Sequence, residues 1–223
     1  MGDRYTITQD LSELAKLVRF IYTITDFKPR SNIDPHHTAP VLVWENNEIV
    51  LKKMVWGLIP AQSKSEKVAD RLINVKAETL TTKPSFKKPF QTQRCLIPAN
   101  GYFEWRRSGK SKTSFLFTMT DNKFFCIAGL WDRWTRPHQD GELGLDDTGP
   151  NLKQLIETFA MITTEPNEMV AKINNRMPAI LGQEHYSDWL EPRSEPRLLK
   201  TLLKPFPSQN GLWASFAVDD GQE

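Results

Sequence analysis

Cysteine is scarce in this chain, and the few histidines are scattered. There are 2 cysteines among 223 residues, Cys95 and Cys126, and neither belongs to a CxxC or a Cys/His spacing. A disulfide scaffold and a structural zinc site are therefore unsupported, and we expect both thiols to lie in the core. The 4 histidines show no ligand spacing, so we expect no metal and no cofactor.

Long hydrophobic runs, internal repeats and low-complexity segments are also missing. No apolar stretch approaches the roughly 20 residues that a membrane helix needs, and the N-terminus does not resemble a secretory signal. We therefore expect no membrane partner and a cytoplasmic protein, nucleoid-associated if bacterial. The lack of repeats and linkers favours one domain over residues 1–223.

The charge is nearly balanced, with a net value of +2, but it is unevenly distributed. Residues 83–112 hold eight basic side chains and a single acid, Glu104. This basic segment is either a solvated strand surface or a phosphate-binding face. Residues 136–151 are rich in glycine, proline and acids, which predicts a surface insertion, and 219–223 form an acidic tail.

The pattern of apolar residues predicts an α+β fold in which strands are in the majority. A helix is expected over 10–22, with Asp10 as N-cap and Glu13 completing a capping box. Asn46 and Asn47 separate two apolar runs and predict a hairpin. The remaining predicted elements are strands at 94–97, 102–106, 113–120, 123–130 and 158–163, a tight turn at 121–122 that pairs its flanking strands, a short helix after Thr164 and a helix opening at Ser194.

Two polar residues stand out among apolar neighbours. Glu104 lies between large aromatic residues in a predicted strand, where it is either a carboxylate paired with an arginine or a general acid or base. Asn74 follows an apolar pair and is either a turn residue or a group that orients a substrate. Neither residue alone decides between these interpretations.

Two further residues allow a structural and a functional interpretation. Trp56 precedes a glycine that permits close backbone approach, and its ring either packs in the core or stacks on a base. Arg176 comes shortly before an X-Pro step, and its guanidinium either binds phosphate or pairs with a carboxylate.

Taken in order, the motifs of this chain resemble the SOS response-associated peptidase (SRAP) family of abasic-site processing proteins. The resemblance rests on Arg4-Tyr5, Ser31 to Pro35, Trp56 to Pro60, Asn74 to Thr79, Arg94 to Trp105, Ala128 to Trp131, Thr163-Thr164 and Arg176 to Leu181. It implies a monomeric, single α+β domain with a barrel-like, mostly antiparallel β core and a few flanking helices. It also implies a positively charged groove that binds single-stranded DNA carrying abasic sites.

The resemblance implies a chemistry as well. In family members the initiator Met is removed, and the new N-terminal cysteine captures the abasic-site aldehyde through its amine and closes a thiazolidine with its thiol. By resemblance, Asn74 positions that amine and Glu104 shuttles protons. The residues that would contact or shape the DNA are Arg4, Asn32, Pro35, Trp56, Lys76, Thr163 and Arg176.

Three positions depart from the family pattern. Gly2 stands where the family has its nucleophilic cysteine, Asn174 where it commonly has a histidine, and Lys76 where it usually has an arginine. Gly2 cannot form a thiazolidine, and Asn174 cannot titrate, so we expect DNA binding with impaired crosslinking. The family's hydrolase or lyase activity is correspondingly uncertain here. The alternatives are a peptidase that removes its own N-terminal segment and a non-catalytic interaction module.

Overall fold

The computed structural model describes residues 3–109, 111–136 and 155–216. The predicted insertion at 136–151 (beyond Arg136) and the acidic tail lie outside these residues. The strands are β1 (Tyr5–Ile7), β2 (Ile21–Tyr22), β3 (Arg30–Ile33), β4 (Thr38–Glu45), β5 (Glu48–Trp56), β6 (Asn74–Lys76), β7 (Arg94–Ala99), β8 (Gly101–Ser108), β9 (Ser111–Met119), β10 (Phe125–Thr135), β11 (Leu155–Thr164), β12 (Met177–Pro178), β13 (Ile180–Leu181) and β14 (Leu212–Phe216). The α-helices are α1 (Leu11–Leu14), α2 (Pro84–Thr92), α3 (Tyr186–Leu190) and α4 (Pro196–Leu202), and 3-10 turns lie at Glu66–Arg71, Ala77–Thr79, Val170–Lys172, Gln183–His185 and Ser208–Asn210.

Five strands close into a barrel. β11, β10, β7, β4 and β5 are antiparallel neighbours in that order, and β5 returns to β11 as a parallel pair. In this closing pair Val55 lies opposite Thr158 and Trp56 opposite Phe159. The α+β, barrel-like fold predicted from the sequence is confirmed.

A second sheet, in the order β14-β9-β8-β1-β3, carries the first strand of the chain. β1 lies between β8 and β3, with Tyr5 opposite both Tyr102 and Ile33. Because β1 is paired on both sides, the N-terminal end of the described chain is held beside the middle of β8. This pairing brings Asp3 close to Glu104.

Local sequence explains the β4–β5 hairpin and the backbone turn that follows it. Asn46 and Asn47 both have positive φ, 52° and 65°, as a tight two-residue turn requires. Gly57 has φ of 132°, and a Cβ there would lie 3.1 Å from Ala69 Cβ. The predicted hairpin is confirmed, and the backbone at Gly57 lies close to Ala69.

Three predicted elements differ from the structure. The helix predicted over 10–22 ends at Leu14, because Ile21 and Tyr22 pair instead with β5. Asp10 caps this helix as predicted, but the Glu13 side chain bonds to Lys16 and does not close a capping box. The strands on either side of Asp121 and Asn122 belong to different sheets and do not pair. Thr164 caps no helix, since its hydroxyl donates to the carbonyl of Leu203.

One member of the basic segment lies in the core. Arg94 is 2% exposed, and its guanidinium donates to the carbonyls of Phe90, Gln91, Trp189 and Glu191. Burial lowers the pKa of Arg94 to about 10. This arginine is therefore a structural group and not part of a phosphate-binding face. Within the described ranges, no helix combines the length and apolar character of a membrane crossing.

Candidate functional site

A cleft of about 480 Å³ opens where the N-terminal end of β1, the middle of β8 and the loop before β12 meet. Its lining mixes acids, amides, an amine and an aromatic ring, as a site for a polar ligand requires. The described residues that line it are Asp3, Glu104, Trp105, Lys112, Ile173, Asn174 and Asn175. Gly2, which precedes Asp3 in the chain, lies outside the described residues.

Glu104 and Asn174 form the polar floor of this cleft. Glu104 is fully buried, and the side-chain amide of Asn174 donates a hydrogen bond of 2.7 Å to its Oε2 atom. Asn174 Oδ1 in turn accepts from the backbone N–H of Arg176 at 3.2 Å. Because Asn174 uses both ends of its amide, it holds the carboxylate and fixes the loop that carries Arg176.

Glu104 and its aromatic neighbour Tyr102 are both buried. Tyr102, on the same face of β8, is 2% exposed, and its ring stacks on Phe117 at 5.0 Å. Burial first, and then the charge of Glu104, raise the pKa of Tyr102 well above its ordinary value. A carboxylate held in such a place can take up or release a proton at a fixed point, as general acid–base catalysis requires.

A row of cations and aromatic rings follows the opposite face of β8. Arg4 lies 5.9 Å from the ring centre of Phe103, Phe103 lies 6.2 Å from Trp105 with the rings 26° apart, and Lys112 Nζ is 4.5 Å from the centre of Trp105. We call Arg4, Phe103, Trp105 and Lys112 the aromatic row. Two half-exposed rings flanked by a cation at each end suit the bases and phosphates of a single strand.

Arg176 is paired with a carboxylate, which is one of the two interpretations that the sequence allowed. Its Nη1 and Nη2 atoms contact the two oxygens of Glu78 at 2.7 and 3.0 Å, and Nη2 also donates to the carbonyl of Thr163 at 2.6 Å. The guanidinium holds the pKa of Glu78 below its usual value. Lys76 is exposed and lies opposite Thr163 in the β6–β11 register, so Lys76 and Arg176 meet at one end of β11.

Two residues of the predicted DNA surface, Trp56 and Thr163, are buried. Trp56 is fully buried, packs edge-on against Tyr5 at 5.3 Å and donates to the carbonyl of Ile73. Thr163 is 3% exposed. Trp56 therefore belongs to the core. Thr163 contributes to the surface indirectly, because its carbonyl and hydroxyl oxygens accept hydrogen bonds from Arg176.

The other predicted site residues lie around the cleft or further along the same surface. Arg4 donates to Asp34 at 2.8 Å, so it sits beside the loop that carries Pro35. Asn32 is exposed on β3, and Pro35 is half-buried in the turn that follows. Asn74 is half-buried on β6 opposite Met161, and it is not among the described residues that line the cleft.

The described residues offer no reactive thiol and no metal cluster. Cys95 and Cys126 are both buried, and burial raises the pKa of both thiols, that of Cys126 to about 12. Within residues 3–109, 111–136 and 155–216, no group of three histidine, cysteine or acidic side chains is arranged to hold a metal ion.

Several contacts of the site could not be predicted from the sequence. Asp34 and Glu78 lie inside the family-like motifs, but only the fold shows that they pair with Arg4 and Arg176. Lys112 belongs to the basic segment, and its place in the cleft follows from the turn between β8 and β9. The charge excess of that segment was the one available signal.

Comparison with protein families and known sequences gives a consistent result. A family model described as SOS response associated peptidase (SRAP) matches residues 1–219. The abasic site processing protein YoqW of Bacillus subtilis is 34% identical over 214 residues, which cover 94% of this chain and 89% of that protein. The chicken abasic site processing protein HMCES is 28% identical over 211 residues, covering 80% of this chain and 59% of that protein.

Solved structures also resemble this chain. A protein from Bacteroides thetaiotaomicron superimposes with a TM-score of 0.84 at 26% identity, covering 98% of this chain and 93% of that one. A protein from Bordetella bronchiseptica superimposes with a TM-score of 0.78 at 21% identity, covering 97% and 99%, and shares the fold.

Proposed function

Because the chain belongs to the SOS response-associated peptidase family, we propose that it is an abasic-site processing protein that binds single-stranded DNA where a base has been lost. The observation that carries the proposal is the cleft in which the buried Glu104 and its partner Asn174 lie beside the aromatic row. An abasic sugar presents a small polar group between two intact bases. The cleft suits that sugar, and the aromatic row suits its neighbours.

Electrostatics and stacking give the binding its physical basis. Arg4 and Lys112 lie at the two ends of the aromatic row, and phosphates that contact them would release counterions. The half-exposed rings of Phe103 and Trp105 offer sequence-independent stacking, which contributes about 1–3 kcal/mol per base in single-strand binding proteins. Lys76 and Arg176 would extend the phosphate track at the end of β11.

The covalent step of the family would be altered in this chain. Gly2 has no thiol, and the described thiols of Cys95 and Cys126 are buried. A primary amine can still condense with the aldehyde of a ring-opened abasic site to give a Schiff base. We therefore propose reversible capture through an amine, with no thiazolidine to make it permanent.

Glu104 would serve as the proton carrier of that condensation. Forming a Schiff base requires a proton on the departing water, and its reversal requires a base. Asn174 holds one oxygen of Glu104 but has no titratable proton of its own. Asp3 also lines the cleft but is exposed, so we assign the proton transfers of the reaction to the buried Glu104.

The position of Asp3 supports a second candidate function, removal of the chain's own N-terminal residue. Asp3 lines the same cleft as Glu104, and the Met1–Gly2 peptide bond lies one residue before Asp3 in the chain. Intact-mass measurement tests this candidate. Loss of Met1 from wild-type protein made in an aminopeptidase-free translation system, together with its retention in E104Q, would support self-processing.

A binding titration tests the first proposal. Fluorescence anisotropy with a single strand carrying one abasic site, the same strand intact, and the corresponding duplex should give the tightest binding for the abasic strand at low salt. The affinity should fall as salt is added, because each neutralised phosphate of a single strand contributes about 0.7 to the log–log salt slope. Equal, salt-independent signals for all three would refute the proposal.

Matched variants locate the binding surface. Arg4→Gln should weaken binding and reduce the log–log salt slope by about 0.7, the contribution of one phosphate of a single strand. Arg19→Gln is the control, because Arg19 is exposed but lies outside the cleft and the aromatic row. An equal decrease in affinity for both variants would show that charge alone, and not this surface, determines the affinity.

A further inference from the structure

Lys112 is the amine that the cleft itself supplies. Of the described residues that line the cleft, it alone carries a primary amine, and it shares the cavity with Glu104 and Asn174. Lys112 follows the tight β8–β9 turn, in which Ser108 pairs with Ser111 and Arg107 with Lys112. Lys112 is therefore three positions beyond Glu104 along β8, and its side chain reaches back to the ring of Trp105.

The Trp105 ring holds the amine in position. Lys112 Nζ lies 4.5 Å from the centre of that ring, within the range of a cation–π contact. A lysine side chain otherwise samples many rotamers, so this contact keeps the amine at the cleft. Trp105 directly follows Glu104 in β8 and projects from the other face of the strand, but both residues line the cleft together with Lys112.

From this geometry we propose that Lys112 is a second, internal nucleophile for aldehydes, including the ring-opened sugar of an abasic site. This inference rests on the proposed function for its DNA substrate. Once the Lys112 ammonium has given up a proton to solvent, the neutral Nζ atom attacks the aldehyde carbon and a C–N bond forms. The nitrogen then loses one further proton, while the carbonyl oxygen takes up two protons and leaves as water. Two carboxylates line the cleft, the exposed Asp3 and the buried Glu104, and we assign these proton transfers to Glu104; the product is a Schiff base between Lys112 and C1′.

The Schiff base also permits strand cleavage. The protonated imine draws electrons from C2′, so a base can remove the C2′ proton. The resulting electron pair forms the C2′–C3′ double bond, and the 3′ phosphate leaves with the C3′–O bond electrons. Lys112 would thus allow lyase-type β-elimination in a chain that has no cysteine at position 2.

Reductive trapping and peptide mapping test the inference. The protein is incubated with abasic single-stranded DNA and borohydride, which adds hydride to the imine carbon and fixes a secondary amine, and the adduct is digested and located by mass spectrometry. We expect an adduct on Lys112 that falls at least tenfold in K112R, since arginine keeps the charge and forms no such Schiff base. The control K16R changes an exposed lysine outside the cleft and should leave the adduct unchanged.

The outcomes separate this inference from the proposed function. Binding of the abasic strand is measured by anisotropy in the same samples, without borohydride. Binding without any adduct at position 112, or an equal yield in K112R, would overturn the role of Lys112 and leave the proposed binding function intact. Failure of the wild-type protein to bind the abasic strand would overturn both.

Discussion

Asn174 Nδ2 donates to Glu104 Oε2 at 2.7 Å, across 70 residues of sequence. This bond joins the loop before β12 to the middle of β8. Glu104 is the titratable member of this pair, because the amide of Asn174 does not titrate. A histidine at position 174 would be a second titratable group. Asn174 is therefore a partner for the buried carboxylate that adds no proton-transferring side chain.

Replacing Asn174 by alanine should destabilise the fold. The change removes a hydrogen bond to a fully buried carboxylate, and leaving such a group short of a donor costs about 1–3 kcal/mol. Urea denaturation measures the difference. Asn175→Ala is the matched control, because Asn175 is exposed in the same loop; equal midpoints for the two variants would contradict the prediction.

Restoring the two family residues should restore permanent capture. The double variant G2C/N174H supplies a thiol beside the terminal amine and a titratable partner for Glu104. We expect a heat-stable adduct with abasic single-stranded DNA, without reductant, once Met1 is removed. Denaturing gels and intact mass detect it. The same heat-stable adduct in the unaltered chain would show that Gly2 does not impair crosslinking.

Glu157 should make stability depend on pH in the acidic range. Burial alone would raise the pKa of Glu157, but hydrogen bonds from Lys52 and Arg133 together hold it below its ordinary value of 4.5. Below that value the folded state binds fewer protons than the unfolded state, so stability rises with pH. The contribution is complete above about pH 4.5 and is lost as the pH falls through the lowered folded pKa.

The test compares melting temperatures of the wild type and E157Q from pH 3 to 7. Discounted for the partial exposure of its partners, the interaction should contribute about 1 kcal/mol near neutral pH, or about 2–4 °C in a protein of this size. The difference should shrink as the pH falls. E48Q, a change at an exposed carboxylate, should show no such trend; a pH-independent difference for E157Q would refute the assignment.

Gly129 should tolerate no side chain. A Cβ there would lie 2.7 Å from Cys95 Sγ, 2.8 Å from Ile97 Cδ1 and 3.0 Å from the carbonyl of Ala160. Overpacking of this kind costs about 1–3 kcal/mol, so G129A should lower the unfolding free energy. Adding C95A removes one of the three clashes and should recover part of that free energy in a double-mutant cycle. Strict additivity of the two changes would contradict this explanation.

The sequence predicted correctly the elements whose conformation depends on residues close together in the chain. The asparagine pair at 46–47 adopts its turn because both residues tolerate positive φ, and the hairpin follows. The helix predicted over 10–22 was wrong beyond Leu14, because Ile21 pairs with Val50 in β5 although the local sequence has a helical pattern. The strands flanking Asp121 and Asn122 were predicted to form a hairpin, but β9 and β10 pair with other strands in two different sheets.

The candidate site shows the same difference between features visible in the local sequence and contacts between distant residues. Glu104 was recognisable as an isolated carboxylate among aromatic residues, and Asn174 through the family pattern. The pairing of Arg176 with Glu78 and the burial of Trp56 depend on strands that are distant in sequence. No local pattern reports such contacts, so the choice between the two interpretations of each residue required the fold.

The parallel pair that closes the barrel has a consequence for synthesis of the chain. Next to it, the backbone N–H of Ile59 donates to the Thr158 hydroxyl across 99 residues, and contacts of such long range form slowly. β4 and β5 are made early, and β2 pairs with β5 at Val50 and Leu51, but the end of β5 at Val55 and Trp56 has no strand partner on that edge until β11 has left the ribosome. During translation the N-terminal half is therefore an incomplete sheet that depends on fast completion, or on a chaperone, to avoid aggregation.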